Sequence, residues 1–138
     1  MVLSQTAKYG IRALLHLAKN KTRPLLSKEI ATDLNIPVFF LAKILQDLAR
    51  YGLLRSYKGP RGGFELARPP DKIKLIEVVQ AIEGVNFGKE CLLTALPCSD
   101  KNPCDLHGRW AQIRKGILQM LHEETLEQLA QKKDGRWK

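Results

Sequence analysis

Residues 27–67, SKEIATDLNIPVFFLAKILQDLARYGLLRSYKGPRGGFELA, decide the fold. The pattern of apolar residues predicts a short helix over 27–34 with Ser27 as its N-cap. The tight turn 35–37 follows, and then a second helix over 38–51 that ends before Gly52. Two helices joined by a three-residue turn are the layout of a helix-turn-helix.

The segments after this pair predict a β-hairpin. LLRSY (53–57) and GFELA (63–67) are short and strand-like, and KGPRG (58–62) joins them. Lys58 and Arg61 then lie at the hairpin tip. A helix-turn-helix followed directly by such a hairpin is a winged helix.

The second helix of the pair has two different faces at about 100° per residue. The inward face carries Leu41, Ile44, Leu45 and Leu48. The opposite face, which can enter a major groove, carries Phe39, Lys43, Gln46 and Arg50. On this face Phe39 can contact a thymine methyl group, or it can fold back onto Pro37 and Phe40.

The charge distribution points to a polyanionic partner, with nucleic acid ahead of a membrane surface. Of the net charge of +9 in 138 residues, +8 lies in residues 1–72, which hold 13 Lys and Arg against 5 Asp and Glu. Lys28, Lys58 and Arg61 join the groove-facing residues as candidate DNA contacts. A winged helix that binds protein instead is the alternative, and the basic half argues against it.

The remaining segments predict four further helices. Ser4 caps one that runs to about 20, another covers 74–83 and stops at Gly84, and Thr125 opens a short last one with a capping box to Gln128. A long helix, capped by Asp105, runs to about 122. Its apolar residues recur at heptad-like spacings, which predicts a dimer interface of Trp110, Ile113, Ile117 and Met120, with Leu106 on the same stripe.

All three cysteines lie within 14 consecutive positions, as Cys91, Cys98 and Cys104, and His107 follows. Thiolates and imidazole are ligands of zinc and of iron–sulfur clusters. The residues alone leave four readings open: an iron–sulfur cluster, a structural zinc site, a thiol or disulfide redox switch, and inert cysteines on a loop. His107 can equally be an ordinary surface histidine of the helix.

The chain resembles the Rrf/IscR family of bacterial winged-helix transcription regulators over nearly its whole length. The resemblance rests on AKYGIRALLHLA (7–18), IATDLNIP (30–37), FLAKILQDLARYGLLRS (40–56), KGPRGGFELARPP (58–70) and KLIEVVQAIEG (74–84). The wing sequence and the cysteine block after Glu83-Gly84 are its most specific parts.

This resemblance implies a homodimer that binds double-stranded operator DNA and holds one iron–sulfur cluster in each subunit. It implies Cys91, Cys98, Cys104 and His107 as the ligands, with a 2Fe–2S cluster favoured over 4Fe–4S. Some members take the fourth ligand from the N-terminal helix of the partner. The nearest position here is Lys8, which is not a credible ligand, and this favours His107.

Two departures from the family pattern concern the operator and the loop. Phe39 and Ala42 stand where many members carry Ser and Glu in the recognition helix, so the operator sequence does not carry over. Six residues separate Cys91 from Cys98, where five are usual.

The sequence thus predicts a mainly α protein with a small β-hairpin: a winged helix-turn-helix over 1–72, then a cluster-binding loop and dimerisation helix over 73–138. It predicts a cytoplasmic regulator, a repressor, that senses cluster supply, redox state or nitric oxide. The alternative is a regulator with zinc or a thiol switch in place of the cluster. The chain has no phosphate loop or nucleophile motif, which predicts that it is not an enzyme.

Overall fold

The computed structural model describes residues 3–93, 101 and 103–131. Its order is α1 (Gln5–Lys19), α2 (Ser27–Leu34), α3 (Val38–Arg50), β1 (Leu54–Tyr57), β2 (Gly63–Leu66), one 3-10 turn (Pro70–Lys72), α4 (Leu75–Glu83), α5 (His107–Glu123) and α6 (Leu126–Ala130). These bounds confirm the predicted mainly helical fold with one small hairpin.

The core lies between α1, α3 and α4. Leu14 of α1, Leu41 and Leu48 of α3 and Val78 of α4 are fully buried, because each helix turns its apolar stripe inward. Helices α1 and α4 approach closely at Gly10, where an added methyl group would lie 2.3 Å from Ile82 Cδ1. The inward face predicted for α3 is confirmed.

The hairpin pairs β1 antiparallel to β2, from Leu54 opposite Leu66 to Tyr57 opposite Gly63. On the other side of β2, Leu25 forms an isolated antiparallel bridge with Phe64. The N–H of Leu25 donates to the carbonyl of Phe64 at 3.0 Å, and the N–H of Phe64 donates to the carbonyl of Leu25 at 2.8 Å. The wing is therefore tied to the segment that leads into α2.

Helix α5 is joined to the winged helix at its C-terminal end. The N–H of Leu75 donates to the carbonyl of Glu124 at 3.0 Å, and the N–H of Leu126 donates to the carbonyl of Ile73 at 2.8 Å. Helix α6 then packs on α1, with Leu126 fully buried. The predicted capping box is confirmed, since the side chains of Thr125 and Gln128 each accept the other's backbone N–H.

Two predicted helix caps are wrong. Helix α2 begins at Ser27, so that its N-cap is Leu26, because the bridge at Leu25 holds the preceding chain extended. Helix α5 begins at His107 rather than after Asp105, because residues 104–107 form a turn closed by the His107 N–H on the Cys104 carbonyl at 3.0 Å.

Within the described part of the chain, no helix combines the length and the apolar character that crossing a bilayer requires.

Candidate DNA-reading surface and cysteine site

The outward face of α3 is the first candidate surface. Phe39, Lys43, Gln46 and Arg50 are all exposed, as predicted. Phe39 is 91% exposed, so it does not fold back onto its neighbours. Its neighbour Phe40 turns the other way and meets the Tyr9 ring edge-on, with 5.6 Å between centroids. The start of the helix is thereby fixed to α1 while Phe39 points into solvent.

The charges on this face are unequal. The Nη1 of Arg50 lies 3.4 Å from the Oδ1 of Asp47 one turn earlier, so its charge is partly balanced within the helix. Lys43 and Gln46 are exposed in the middle of the face. Lys28 is exposed in the first turn of α2. Direct base contacts by this face would therefore fall first to Phe39, Lys43 and Gln46.

The wing is a short, well-braced hairpin. Lys58 and Arg61 are exposed at its tip, and the N–H of Gly62 closes the turn on the Gly59 carbonyl at 2.9 Å. Along the strands, the Tyr57 hydroxyl donates to Glu65 at 2.6 Å, which raises the pKa of Tyr57. The two basic side chains thus project from a fixed frame.

Gly63 allows the close contact between the wing and residue 25. Its φ is +129°, and an added methyl group would lie 2.3 Å from the Leu25 carbonyl oxygen. A side chain at this position would clash with the backbone of Leu25, and a residue with a side chain rarely adopts this positive φ. The glycine is therefore required where the wing meets the bridge residue Leu25 before α2.

The cysteine site lies at the N-terminal end of α5. Cys91, Cys104 and His107 are half-buried, and Cys98 lies outside the described residues. His107 is the first residue of α5, and its N–H donates to the Cys104 carbonyl at 3.0 Å. Cys104 and His107 therefore share one turn.

A hydrogen bond brings the chain around Cys91 to the same end. The indole N–H of Trp110 donates to the Glu90 carbonyl at 3.1 Å. Trp110 follows His107 by three residues, so both side chains lie on one side of the first helical turn. The residue before Cys91 is thus tied by this bond to the N-terminal end of α5.

The donor set fits a metal or iron–sulfur group in kind, since thiolates and imidazole bind both. The part of the chain that the structure describes contains no group of three or more His, Cys, Asp and Glu side chains arranged to hold a metal ion. Completing the predicted set requires Cys98.

The predicted dimer stripe divides into two parts. Leu106, Ile113 and Met120 are 40%, 57% and 52% exposed and recur every seven residues. Ile117 instead packs against the core of its own chain, and Trp110 is half-buried beside Glu90. The part of the stripe that is open to a second helix is therefore Leu106, Ile113 and Met120.

The role of Trp110 was not predicted from the sequence. The three-residue spacing between His107 and Trp110 could have indicated that both side chains lie on one side of the helix. The heptad spacing instead placed Trp110 in the predicted dimer interface.

The model of the Rrf2 family, described as an iron-dependent transcriptional regulator, matches residues 3–132. An HTH-type transcriptional regulator of Aquifex aeolicus is 37% identical over 131 residues, which are 94% of this chain and 91% of that protein. The relatives are regulators rather than enzymes, as predicted.

Two solved structures are similar to this chain over nearly its whole length. CymR of Bacillus subtilis, described as the global cysteine regulator, superposes with a TM-score of 0.78 at 28% identity, covering 96% of this chain and 98% of CymR. IscR of T. potens superposes with a TM-score of 0.73 at 25% identity, covering 96% and 93%. Both likenesses extend over the winged helix and the region that follows it.

Proposed function

Because the chain belongs to the Rrf2 family of transcriptional regulators, we propose that it is a repressor that binds operator DNA as a homodimer under the control of an iron–sulfur cluster. The observation that supports the cluster proposal most directly is the single turn shared by Cys104 and His107 at the start of α5, the end of the helix to which Trp110 ties the residue before Cys91. The place of action is the cytoplasm, where a bacterial operator lies.

The DNA surface is proposed to have two parts. Helix α3 enters the major groove and reads base edges with Phe39, Lys43 and Gln46. Lys28, Lys58 and Arg61 contact the sugar–phosphate backbone on either side of it, while Arg50 helps to hold the register. The exposure of all seven side chains and the net charge of +8 in residues 1–72 support this division.

The cluster is proposed to be held by Cys91, Cys98, Cys104 and His107, as 2Fe–2S. When bound, the cluster would supply one-electron redox chemistry and would be sensitive to oxidants or nitric oxide. Its reduction potential is set partly by its ligands. The protein contributes three thiolates, one imidazole and a fixed attachment of the loop to α5. Because an imidazole donates less charge than a thiolate, His107 is expected to raise the potential.

The dimer is proposed to form along α5. Leu106, Ile113 and Met120 are spaced by one heptad and exposed in the single chain, which is the pattern of a helix with a missing partner. Gly116 lies beside Ile113 and Met120 on this side, and among the described residues nothing comes within 4 Å of the position that a methyl group would take there. A second helix can therefore approach closely.

The proposal is tested by anaerobic purification of the full-length chain. Iron, acid-labile sulfide and a visible absorption spectrum are expected, with loss of all three in Cys91→Ala, Cys98→Ala and Cys104→Ala. One operator is then titrated with matched holo and apo protein at fixed salt. Stoichiometric zinc without visible absorption, or equal affinities of the two forms, would contradict the proposal.

A thiol or disulfide switch is the second candidate, because a similar structure, that of CymR from Staphylococcus aureus, is described as an oxidized form. In this case the anaerobic protein would contain no iron. Its DNA affinity would instead change on treatment with peroxide and recover with a dithiol reductant. Mass spectrometry of intact protein separates the two candidates, since a disulfide removes two mass units and a cluster adds iron and sulfide.

A further inference from the structure

The segment between α4 and Cys91 is built against α5. Two successive turns, closed by the N–H of Phe87 on the Gly84 carbonyl at 3.2 Å and the N–H of Lys89 on the Asn86 carbonyl at 3.1 Å, give it a defined path. Phe87 packs against the core. The segment is therefore ordered up to the residues that precede the first cysteine.

Two contacts then fix its direction along α5. Gly88 has a φ of +84°, and an added methyl group there would lie 2.6 Å from Leu118 Cδ2. Two residues later, the Glu90 carbonyl accepts the indole N–H of Trp110 at 3.1 Å. The segment thus passes from the middle of α5 toward its N-terminal end and delivers Cys91 there.

Trp110 provides the last contact before the cysteine. Its N–H donates to a carbonyl rather than to a side chain, so the bond depends on the backbone path and not on the identity of residue 90. The ring is half-buried and belongs to the same helical turn as His107. One residue thereby connects the chain before Cys91 to the helix that carries the exposed apolar stripe.

We propose that Trp110 is a positioning residue for the cysteine site, which acts through Glu90 to hold Cys91 at the N-terminal end of α5 and to couple Cys91 to this helix. This inference rests on the proposed function of the site. It adds that the first cysteine is placed before any metal binds, and that α5 responds when Cys91 is released.

The first test uses the reduced, metal-free, full-length protein. Trp110→Phe keeps most of the ring and removes the N–H donor, whereas Gln119→Ala removes an exposed side-chain hydrogen bond to Glu123 on the same helix and is the matched control. Alkylation of Cys91 by iodoacetamide, followed by peptide mass spectrometry, is expected to accelerate about three- to tenfold in Trp110→Phe, the range that loss of one hydrogen bond gives.

The same experiment separates positioning from general loosening. Alkylation of Cys104 and the denaturant midpoint should stay as in the wild type, and amide exchange should rise in residues 88–92 and in the first turn of α5. Gly88→Ala, which disturbs the same segment from the Leu118 side, should also accelerate Cys91. An unchanged Cys91 rate in both variants, or equal acceleration of all cysteines, would overturn the proposal.

The second test uses Co²⁺ as the probe of the ligand set, in a Trp137→Phe background so that Trp110 is the remaining tryptophan. Thiolate-to-cobalt absorption and quenching of Trp110 emission should appear together. In Trp110→Phe the absorption should persist with an affinity reduced about three- to tenfold. Absorption without quenching, or unchanged affinity in Trp110→Phe, would overturn the positioning role.

Failure of the proposed function has a different signature. A wild-type protein that takes up neither iron nor Co²⁺ would contradict the cluster, while the alkylation and exchange results would still decide whether Trp110 positions Cys91.

Discussion

The guanidinium of Arg23 and the carboxylate of Glu29 meet side by side, with 3.0 Å from Nη1 to Oε1 and 2.5 Å from Nη2 to Oε2. Glu29 also accepts the backbone N–H of Leu26 at 3.1 Å, which satisfies one of the donors at the start of α2. The hydrogen bond from Arg23 and then that from Leu26 lower the pKa of Glu29 from 4.5 to about 2.

This pair predicts a window of acid sensitivity. Because the folded chain keeps Glu29 ionised to a lower pH than the unfolded chain does, its stabilisation is complete above a pH of about 4.5 and is lost as pH falls through about 2. Denaturant unfolding at a series of pH values should show this slope in the wild type and a reduced slope in Glu29→Gln and Arg23→Gln. The double variant should add little to either, and a slope kept in Glu29→Gln would refute the assignment.

The wing should be sensitive to the position of an added methyl group. Gly63→Ala places that group against the Leu25 carbonyl, whereas Gly59→Ala, at a φ of +92°, meets no atom within 4 Å. Both incur the dihedral cost of about 1–2 kcal/mol, and Gly63→Ala adds the clash with backbone. Thermal unfolding should therefore rank Gly63→Ala well below Gly59→Ala, and equal losses would mean that the contact with Leu25 is unimportant.

The proposed DNA surface predicts two classes of variant. Lys58→Ala and Arg61→Ala should weaken binding to all sequences and lower the log–log salt slope by about 1 per phosphate contact, from a dimer value on the order of −5 to −9. Lys43→Ala and Gln46→Ala should instead change the sequences recovered by selection from a random duplex pool. A flat salt response of the wild type would exclude the DNA surface.

The exposed apolar stripe on α5 predicts that a charge placed within it dissociates the dimer, whereas a charge elsewhere on the helix does not. Ile113→Glu places a charge in the proposed seam, which should cost on the order of 3 kcal/mol, or about a hundredfold in the dimer dissociation constant. Lys115→Glu, exposed on the opposite side of α5, is the control for charge. Sedimentation should show monomers for Ile113→Glu alone, and an unchanged dimer would place the interface elsewhere.

The fourth ligand has its own test. His107→Ala should leave a cluster that forms but is lost faster in air, since three thiolates remain and solvent or an added thiol can fill the fourth position. His122→Ala, exposed at the other end of the same helix, should behave as the wild type. Equal lifetimes in the two variants would remove His107 from the ligand set.

Local pattern was sufficient for most of the fold. The alternation of faces in α3, the hairpin, and the capping box at Thr125 are decided within a few residues, and each was predicted correctly. The cap of α2 was not, because the bridge between Leu25 and Phe64 depends on residues 39 positions apart. Pairing between residues so far apart in the sequence produces no recognisable sequence pattern near Ser27.

The candidate site shows the same limit. The cysteines and His107 are recognisable by residue type, whereas the bond from Trp110 to Glu90 joins residues 20 positions apart and depends on the turns at Gly84 and Gly88. The division of the chain into units 1–72 and 73–138 stays a prediction. The ligand and DNA-contact assignments likewise await the experiments above.

The attachment of α5 at its C-terminal end gives the helix the mechanics of a lever. The bonds from Leu75 to Glu124 and from Leu126 to Ile73 act as the fulcrum next to the winged helix, and Cys104 and His107 lie at the far end of the helix. Seventeen residues make an arm of about 25 Å, so that a tilt of about 5° at the fulcrum corresponds to about 2 Å at the tip. A small change of angle at the cysteine end of α5 would therefore alter the distance between the two winged helices of the proposed dimer.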